Sequence, residues 1–143
     1  MSYTICRLNA ITKPLYEFIK ENIPELNTIY GGMYDPMNTR WWLMISKGVF
    51  LVAMKDGKVV GIHSSYLSTC IFNPEIKILQ QLLFYVVKGH SKATYLLFNK
   101  FIDIGKDEAN HINTMLTGHT NIKPESLKRY GFNELETLYR MEV

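Results

Sequence analysis

A short basic turn at residues 88–92 is the part of the sequence best suited to binding a ligand. The stretch Lys88-Gly89-His90-Ser91-Lys92 lies between an apolar run and a segment whose apolar residues have helical spacing. The first turn of a helix carries backbone N–H groups without intrahelical partners and the positive end of the helix dipole, and both favour a phosphate group. A turn that merely ends a strand has the same composition, so both interpretations stay open at this point.

The histidines and cysteines show no spacing typical of a metal site, so no metal is expected. Zinc sites use ligands at short fixed spacings such as H-x-x-x-H. The residues concerned are His63, His90, His111, His119, Cys6 and Cys70. Because both cysteines lie inside strand-like apolar runs, we interpret them as reduced core residues of a cytosolic protein.

Length and composition describe one ordinary globular domain, 1–143. Of its 143 residues, 47% are apolar and 20% are charged, and the formal net charge is +3. That charge suits an anionic ligand, but no basic helix interleaved with aromatic residues is present, so a nucleic-acid partner is not expected. No window reaches the roughly 18 apolar residues of a membrane span, and the first residues lack the apolar core of a secretory signal. We therefore expect a cytoplasmic protein without a membrane partner.

The spacing of apolar residues predicts the strands and helices of an α+β domain. Strands are predicted at 2–8, 49–55, 58–67, the second half of 75–87, 111–118 and 133–143. Helices are predicted at 13–23, 39–47, 92–109 and 124–131. Asp56-Gly57 and Asn73-Pro74 are predicted turns, and Pro24 is expected to end the first helix, with 25–38 as a loop. The strand–helix–strand crossover should be right-handed with parallel strands, which gives a mixed sheet with helices on both faces.

This order of elements, together with two short motifs, resembles the GNAT N-acetyltransferase superfamily over nearly the full chain. The family's signature is Gln/Arg-x-x-Gly-x-Gly/Ala between its fourth strand and third helix, and here Lys88, Ser91 and Ala93 occupy those positions. The stretch Leu127-Lys128-Arg129-Tyr130-Gly131-Phe132 is similar to the family's leucine-tyrosine-x-x-x-glycine-phenylalanine helix end. The resemblance implies a GNAT-like fold with a central mixed, mainly antiparallel sheet and helices on both faces.

The resemblance also implies acetyl-CoA as the co-substrate, lying between two splayed strands. In the family, the pantetheine pairs with strand backbone, and backbone N–H groups of the turn bind the pyrophosphate. Small residues are needed in the turn because the phosphates approach the main chain closely. The corresponding residues are Leu83, Phe84 and Tyr85 for the pantetheine, Lys88, Gly89, His90, Ser91, Lys92, Ala93 and Thr94 at the turn, and Asn121 near the cofactor.

Acetyl transfer to an amine needs a base for the amine and a proton for the departing thiolate. The resemblance implies Glu75 as the base; a polar residue at the solvent end of a strand is the alternative, and His63 is a second candidate base. The family's tyrosine acid falls on Leu127, which has no proton to give. Tyr130, about one helical turn further along, is the candidate acid, unless it packs beside Phe132 in the core.

The acceptor site is expected in the segment that follows the first helix. The candidate substrate-binding residues are Tyr30, Tyr34, Asp35 and Trp41. A surface loop without a binding role, with Trp42 in the core, is the alternative. The sequence thus predicts an N-acetyltransferase that moves an acetyl group directly to an amine of a small molecule or a protein. A catalytically inactive GNAT-fold protein that binds acyl-CoA or protein partners is the competing hypothesis. Family members dimerise through terminal strands, which makes a homodimer one expectation.

Overall fold

A computed structural model of the chain describes residues 2–29, 39–116, 120, 122–136, 139–141 and 143. The strands are β1 (Thr4–Leu8), β2 (Gly48–Lys55), β3 (Lys58–Cys70), β4 (Asn73–Val86) and β5 (His111–Asn113). The helices are α1 (Lys13–Glu21), α2 (Ile23–Ile29), α3 (Trp41–Lys47), α4 (Ser91–Glu108) and α5 (Pro124–Tyr130). The predicted site residues Tyr30, Tyr34, Asp35 and Asn121 lie outside the described residues.

The five strands of the described residues form one mixed sheet in the order β1-β2-β3-β4-β5. Neighbouring strands from β1 to β4 are antiparallel. The pair β4–β5 is parallel, because α4 returns the chain to the same end of the sheet. Asp56 and Gly57 form the β2–β3 turn, both at positive φ as a two-residue hairpin requires. The predicted mixed, mainly antiparallel sheet is confirmed.

Two apolar layers cover the two faces of this sheet. In β2, Val49, Leu51 and Ala53 pack in the layer of α4, whereas the alternating Phe50 and Val52 pack in the layer of α1, α2 and α3. Successive side chains of a strand point to opposite faces, so an uninterrupted apolar run is buried on both sides. Helices therefore lie on both faces of the sheet, as predicted.

Helix α1 follows its sequence pattern closely. Thr12 caps the first turn, because its Oγ1 accepts a hydrogen bond from the Leu15 N–H at 3.4 Å. Leu15, Phe18 and Ile19 recur at helical spacing and are buried. The helix ends at Glu21, two residues before the predicted end.

A second helix occupies part of the predicted loop. Helix α2 begins at Ile23 and holds Pro24 in its first turn. Proline has no backbone N–H group, and this loses no hydrogen bond there, because the first four amides of a helix have no intrahelical acceptor. Leu26 is fully buried in the same apolar layer as α1, and this packing stabilises a helix too short to persist alone. The prediction of a loop is therefore wrong for residues 25–29.

Helix α3 forms where predicted, but its core tryptophan is a different one. Trp41 is 7% exposed and Trp42 is 62% exposed. Adjacent helix residues are about 100° apart around the axis, so the face shared by Trp41 and Ile45 leaves Trp42 outside. The prediction that Trp42 lies in the core is wrong.

The β3–β4 hairpin is longer than predicted and turns earlier. Its turn is formed by Ile71 and Phe72, and β4 begins at Asn73, so the predicted Asn73-Pro74 turn is wrong. Because β2 begins at Gly48, opposite Tyr66, the last residues of β3 have no β2 partner. The hairpin therefore extends past the rest of the sheet and exposes 89% of Ile71 and 93% of Phe72.

Helix α5 ends as predicted at Gly131. This residue has a left-handed φ of 97°, and the following Phe132 N–H donates to the Leu127 carbonyl at 3.0 Å. The pattern is a Schellman cap, which glycine adopts without strain. Leu127 and Phe132 both pack against the α4 layer.

The last two predicted strands are largely absent from the described residues. Of the predicted strand 111–118, the described residues 111–116 contain only the three residues of β5, and residues 133–136, 139–141 and 143 contain no strand. Leu135, Tyr139 and Met141 are exposed. An alternating apolar pattern forms a stable strand only where other strands pair with it, which explains why the pattern misled the prediction.

The two cysteines are free thiols, as predicted, but they are less buried than predicted. Cys6 in β1 and Cys70 at the end of β3 are free thiols, and both are half-buried rather than in the core.

Among the described residues, no group of three or more His, Cys, Asp or Glu side chains is placed to hold a metal ion. Within the same ranges, no helix is long and apolar enough to cross a lipid bilayer.

Candidate cofactor site and active site

The candidate site begins where β4 and β5 separate. The two strands pair only between 78–80 and 111–113, and β4 then continues to Val86 with no described strand on that side. Buried Gln81 closes the junction: its Nε2 donates to the Met115 carbonyl at 3.3 Å, and its Oε1 accepts from the Thr114 hydroxyl at 2.6 Å. The edge of β4 beyond Gln81 can therefore accept an extended ligand through strand-like hydrogen bonds.

A β-bulge lies at the same point of β4. Ser64 of β3 is opposite Leu83, but Ser65 is opposite Gln81, so Leu82 has no β3 partner. A bulge changes which face the following side chains reach. Leu79 packs in the α4 layer, whereas Leu83, four residues later, packs in the layer of α1. This bulge was not predicted, and the only sign of it in the sequence is the polar pair Gln80-Gln81 within an apolar run.

The turn after β4 presents unengaged backbone amides. The Val87 N–H still donates to the Val60 carbonyl at 2.9 Å, and Gly89 then takes a left-handed φ of 95° that few other residues tolerate. Among the described residues, the N–H groups of Gly89, Ser91 and Lys92 donate to no backbone carbonyl. Gly89 and Ser91 are also exposed. The predicted arrangement of a solvent-accessible helix start is present.

This turn forms one wall of a cavity of about 350 Å³. The lining residues are Glu25, Tyr85, Val86, Val87, Lys88, Gly89, Ser91, Thr94 and Thr120. Five of them were predicted as cofactor-binding: Tyr85, Lys88, Gly89, Ser91 and Thr94. The other predicted residues do not line the cavity: Leu83, Phe84 and Ala93 are buried in the apolar layers, Lys92 is exposed, and His90 is half-buried.

The opposite wall of the cavity comes from α2, which the sequence analysis did not predict. Glu25 projects from this helix beside Tyr85. The Tyr85 hydroxyl donates to Asn22 Oδ1 at 3.0 Å, and Asn22 Nδ2 in turn donates to the Phe18 carbonyl at 2.8 Å. Burial, and to a lesser degree the Glu25 carboxylate, raise the pKa of Tyr85. The phenol is therefore neutral and acts as a hydrogen-bond donor at physiological pH.

The ring of His90 faces away from the cavity. Its Nδ1 is 2.9 Å from the Tyr3 hydroxyl, and the two rings meet edge-on with centroids 5.8 Å apart. The Lys55 amino group lies 5.0 Å from the centroid of the Tyr3 ring. Although His90 is the N-cap residue of α4, its side chain makes no capping hydrogen bond. A sequence gives no sign of this contact, because Tyr3 and Lys55 are distant from the turn along the chain.

The two predicted catalytic residues do not line the cavity. Glu75 is exposed near the start of β4, and its N–H is bonded to Asn73 Oδ1 at 3.2 Å. At about 3.3 Å per residue, the strand from Glu75 to Val86 spans roughly 35 Å. The Tyr130 hydroxyl donates to Asn99 Oδ1 at 2.6 Å on the outer side of α4, and its ring packs edge-on against Phe98.

His63, the second candidate base, lies in the core. It is fully buried on β3, with ring centroids 4.6 Å from Phe84 and 4.3 Å from Phe101. Neither ring nitrogen has a hydrogen-bond partner at bonding geometry. Burial lowers the pKa of His63 to about 3, with smaller opposing effects from its own backbone and from the Gln81 side chain. A histidine this weakly basic cannot take a proton from an amine at neutral pH.

Trp41, the one predicted substrate-binding residue that the structure describes, is also in the core. Its ring meets Phe50 edge-on at 6.2 Å, in the apolar layer shared with α1. Its side chain packs α3 against the sheet and does not present a surface to a ligand.

Comparison with solved structures places this architecture among acetyltransferases. An aminoglycoside acetyltransferase from an uncultured soil metagenomic sample superposes with a TM-score of 0.68 at 15% identity, covering 100% of this chain and 99% of that chain. A possible acetyltransferase from Clostridium difficile 630 gives 0.69 at 17% identity, covering 99% and 97%. A ribosomal-protein-alanine N-acetyltransferase from Brucella melitensis biovar Abortus 2308 gives 0.63 at 15% identity, covering 99% and 100%.

At the level of sequence alone, no protein-family model and no curated protein matches the chain. The likeness to the solved structures therefore rests on the arrangement of strands and helices. The splayed β4–β5 pair and the turn into α4 lie within the portion that superposes, since each comparison covers nearly the whole chain. The predicted resemblance is confirmed in architecture: this chain has the fold of the GNAT acetyltransferases.

Proposed function

We propose that this chain is an acetyl-CoA-dependent N-acetyltransferase that moves an acetyl group directly to an amine of a small molecule or a protein. The observation that carries the proposal is the turn between β4 and α4, whose unengaged amides open onto the cavity beside the β4–β5 gap. The fold shared with acetyltransferases supports the same assignment.

The residues of the turn fit a pyrophosphate group. The amides at the start of an 18-residue helix and the positive end of its dipole attract an anion. Gly89 presents no side chain, and the space beside its Cα is open. Lys88 adds a positive charge at the rim of the cavity. The backbone at 83–85 would contact the pantetheine, and bound acetyl-CoA would supply the activated acetyl thioester.

Glu25 is the residue that we assign to the acceptor amine. In the transfer, the amine nitrogen bonds to the acetyl carbon, the carbon–sulfur bond breaks, the amine proton passes to a base and the thiolate takes up a proton. Among the described lining residues Glu25 carries the carboxylate, so it can attract a cationic amine and accept its proton. Because the Tyr85 hydroxyl already donates to Asn22, we assign protonation of the thiolate to water. Tyr30, Tyr34 and Asp35 remain predictions for the acceptor side.

A protein that binds acyl-CoA without transferring the acetyl group is the second candidate function. It is favoured by one observation: neither Glu75 nor Tyr130, the predicted base and acid, lines the cavity. Leu127 stands where the family carries its tyrosine, and it packs against the α4 layer. Binding without turnover is the result that this alternative expects.

Isothermal titration with acetyl-CoA tests the cofactor assignment. We expect micromolar binding by the wild type and loss of binding in Ser91→Trp, because the indole would fill the space in front of the turn amides. Ser46→Trp, at an exposed position of α3, is the matched control and should bind as the wild type does. No binding by the folded wild type would overturn both candidate functions.

Turnover then distinguishes the two functions. Release of CoA thiol is measured with spermidine, with the aminoglycoside kanamycin and with a peptide that begins with alanine. The last two follow the acceptors named for the solved structures. Amine-dependent thiol release supports the transferase. Binding of acetyl-CoA without release on any acceptor supports the inactive alternative.

A further inference from the structure

A cluster of aromatic and basic side chains lies directly outside the proposed cofactor cavity. His90 is flanked by Gly89 and Ser91, which both line the cavity, but its own ring is held on the outside by the 2.9 Å contact with Tyr3. The Lys55 amino group lies over the Tyr3 ring, 5.0 Å from its centroid. Three separate parts of the chain, namely the residues before β1, the end of β2 and the turn into α4, therefore meet at one point.

Among the residues that the structure describes, no carboxylate neutralises the positive charges around this point. The described ion pairs are Arg7–Glu108 and Lys13–Glu17, both elsewhere on the surface. Lys55 is opposite Lys58 across the β2–β3 turn, and Lys88 and Lys92 flank His90 in the turn into α4. Within the described residues, none of these four lysines is paired with a carboxylate. Asp56 is the acidic side chain in the adjacent hairpin turn.

We infer that His90 and Lys55 bind the 3′-phosphate on the ribose of CoA and that Tyr3 positions His90 for this contact. The inference rests on the proposed function, which puts the pyrophosphate at the turn. CoA carries a phosphomonoester on its ribose, close to the pyrophosphate and on the side away from the thioester, so this group lies outside the cavity. A dianion is bound by positive charge and by hydrogen-bond donors, and the cluster supplies the Lys55 ammonium and an imidazole N–H beside the turn.

The contact with Tyr3 prepares His90 for this role. When the Tyr3 hydroxyl donates to Nδ1, the proton of the neutral ring is on Nε2, which then donates to the phosphate. The edge-on packing of the two rings fixes the direction of that donor. Tyr3 is thus a positioning residue, while His90 and Lys55 contact the ligand. A purely structural contact would tie the start of the chain to α4 but would not distinguish between ligands.

Comparison of acetyl-CoA with 3′-dephospho-acetyl-CoA tests the inference. We expect the wild type to bind acetyl-CoA about tenfold more tightly, as a hydrogen-bonded charged group contributes. This ratio should fall close to one in His90→Ala and in Lys55→Met, and to an intermediate value in Tyr3→Phe. Lys106→Met, which removes an exposed lysine in the last turn of α4, is the matched control and should keep the full ratio. Adenosine 3′,5′-bisphosphate should compete with acetyl-CoA better than adenosine 5′-monophosphate does.

The outcomes separate this inference from the proposed function. Equal binding of both ligands by the wild type would overturn the inference and leave the transferase proposal intact. A tenfold ratio that survives in His90→Ala and Lys55→Met would also overturn it, because the phosphate would then be bound elsewhere. Failure of the wild type to bind either ligand would overturn the proposed function together with the inference. Circular dichroism of each variant checks that the ratio is measured on folded protein.

Discussion

The two ends of β4 differ in nearly every property that a ligand site needs. At the carboxyl end, Phe84 and Tyr85 are buried between helices on both faces, and the strand leads into a turn with unengaged amides. At the amino end, Glu75 is exposed beside a hairpin tip whose Phe72 is 93% exposed. The carboxyl end has a cavity because α2, β4 and α4 converge on it. A carboxylate at the amino end has no such walls.

The β-bulge at Leu82 adds a second difference between the two ends. Side chains alternate along a strand, so an uninterrupted β4 would place Glu75, Leu83 and Tyr85 on one face. The bulge breaks this alternation: Leu79 packs in the α4 layer, whereas Tyr85, six residues later, packs in the layer of α1 and α2. A second irregularity in the β3–β4 pairing lies between Asn73 and Lys77, so counting residues back from the turn does not give the face of Glu75.

The largest expected effect is a difference in stability between the phenylalanines at the two ends. Phe84→Ala should lower the free energy of unfolding by about 3 to 5 kcal/mol, because it empties a site between His63 and Phe98. Phe72→Ala, at the exposed hairpin tip, should change it by less than about 0.5 kcal/mol. Urea denaturation followed by circular dichroism measures both.

A milder variant keeps this comparison measurable if Phe84→Ala does not fold. Phe84→Leu should cost less than about 1.5 kcal/mol, since it keeps most of the buried volume. A loss of more than 2 kcal/mol in Phe72→Ala (a value well outside the surface range) would contradict the comparison. It would show that the hairpin tip is covered in solution.

Buried His63, opposite Phe84 on the neighbouring strand, makes the carboxyl end sensitive to acid. Its pKa is lowered by burial from 6.5 to about 3, so between these pH values the unfolded chain binds a proton that the folded chain does not. Stability is therefore present above pH 6.5 and is lost as the pH falls. Between pH 7 and pH 4 the loss should be about 3 kcal/mol from this residue.

Urea denaturation at a series of pH values measures this loss. His63→Leu should remove most of the acid dependence, because the leucine fills the apolar site without a group to protonate. His111→Gln, a change at an exposed histidine, is the control and should leave the acid dependence in place. An unchanged pH profile in His63→Leu would show that His63 is not the acid-sensitive group.

The same contrast explains how much of this molecule could be predicted from its sequence. Helix α1 and the β2–β3 hairpin were predictable, because Leu15, Phe18 and Ile19 recur at helical spacing and Asp56-Gly57 is a local turn signal. The turn at residues 88–92 was predictable for the same reason, since its glycine and small residues act locally. Features of this kind are set by neighbours along the chain.

Helix α2, the β-bulge and the orientation of His90 could not be predicted in the same way, because contacts between distant parts of the chain determine them. Pro24 suggested the end of a helix, but burial of Leu26 stabilises α2 beyond it and brings Glu25 to the cavity. The bulge at Leu82 depends on pairing with β3, and the contact of His90 with Tyr3 joins residues 87 positions apart. No local pattern encodes either one.

Replacement of Glu25 or Glu75 by glutamine has the smallest expected effect, but it compares the two ends of β4 most directly. Glu25→Gln should raise the KM for the cationic amine that the protein acetylates by about tenfold, or roughly 1.4 kcal/mol, because the amide keeps the shape of the side chain and loses its charge. Its Kd for acetyl-CoA should stay within about twofold of the wild type, since the proposal places Glu25 at the acceptor amine. Glu75→Gln should leave KM and kcat within about twofold of the wild type, as surface changes usually do.

Steady-state thiol release on the best acceptor of the panel measures the two variants side by side. If Glu75→Gln instead abolishes turnover while Glu25→Gln behaves as the wild type, the reacting groups meet at the amino end of β4. The cavity at the other end would then hold the nucleotide alone. If Glu25→Gln lowers kcat as well as raising KM, the carboxylate takes the amine's proton in addition to attracting its charge. The split between KM and kcat thus decides whether Glu25 is a binding group or the base.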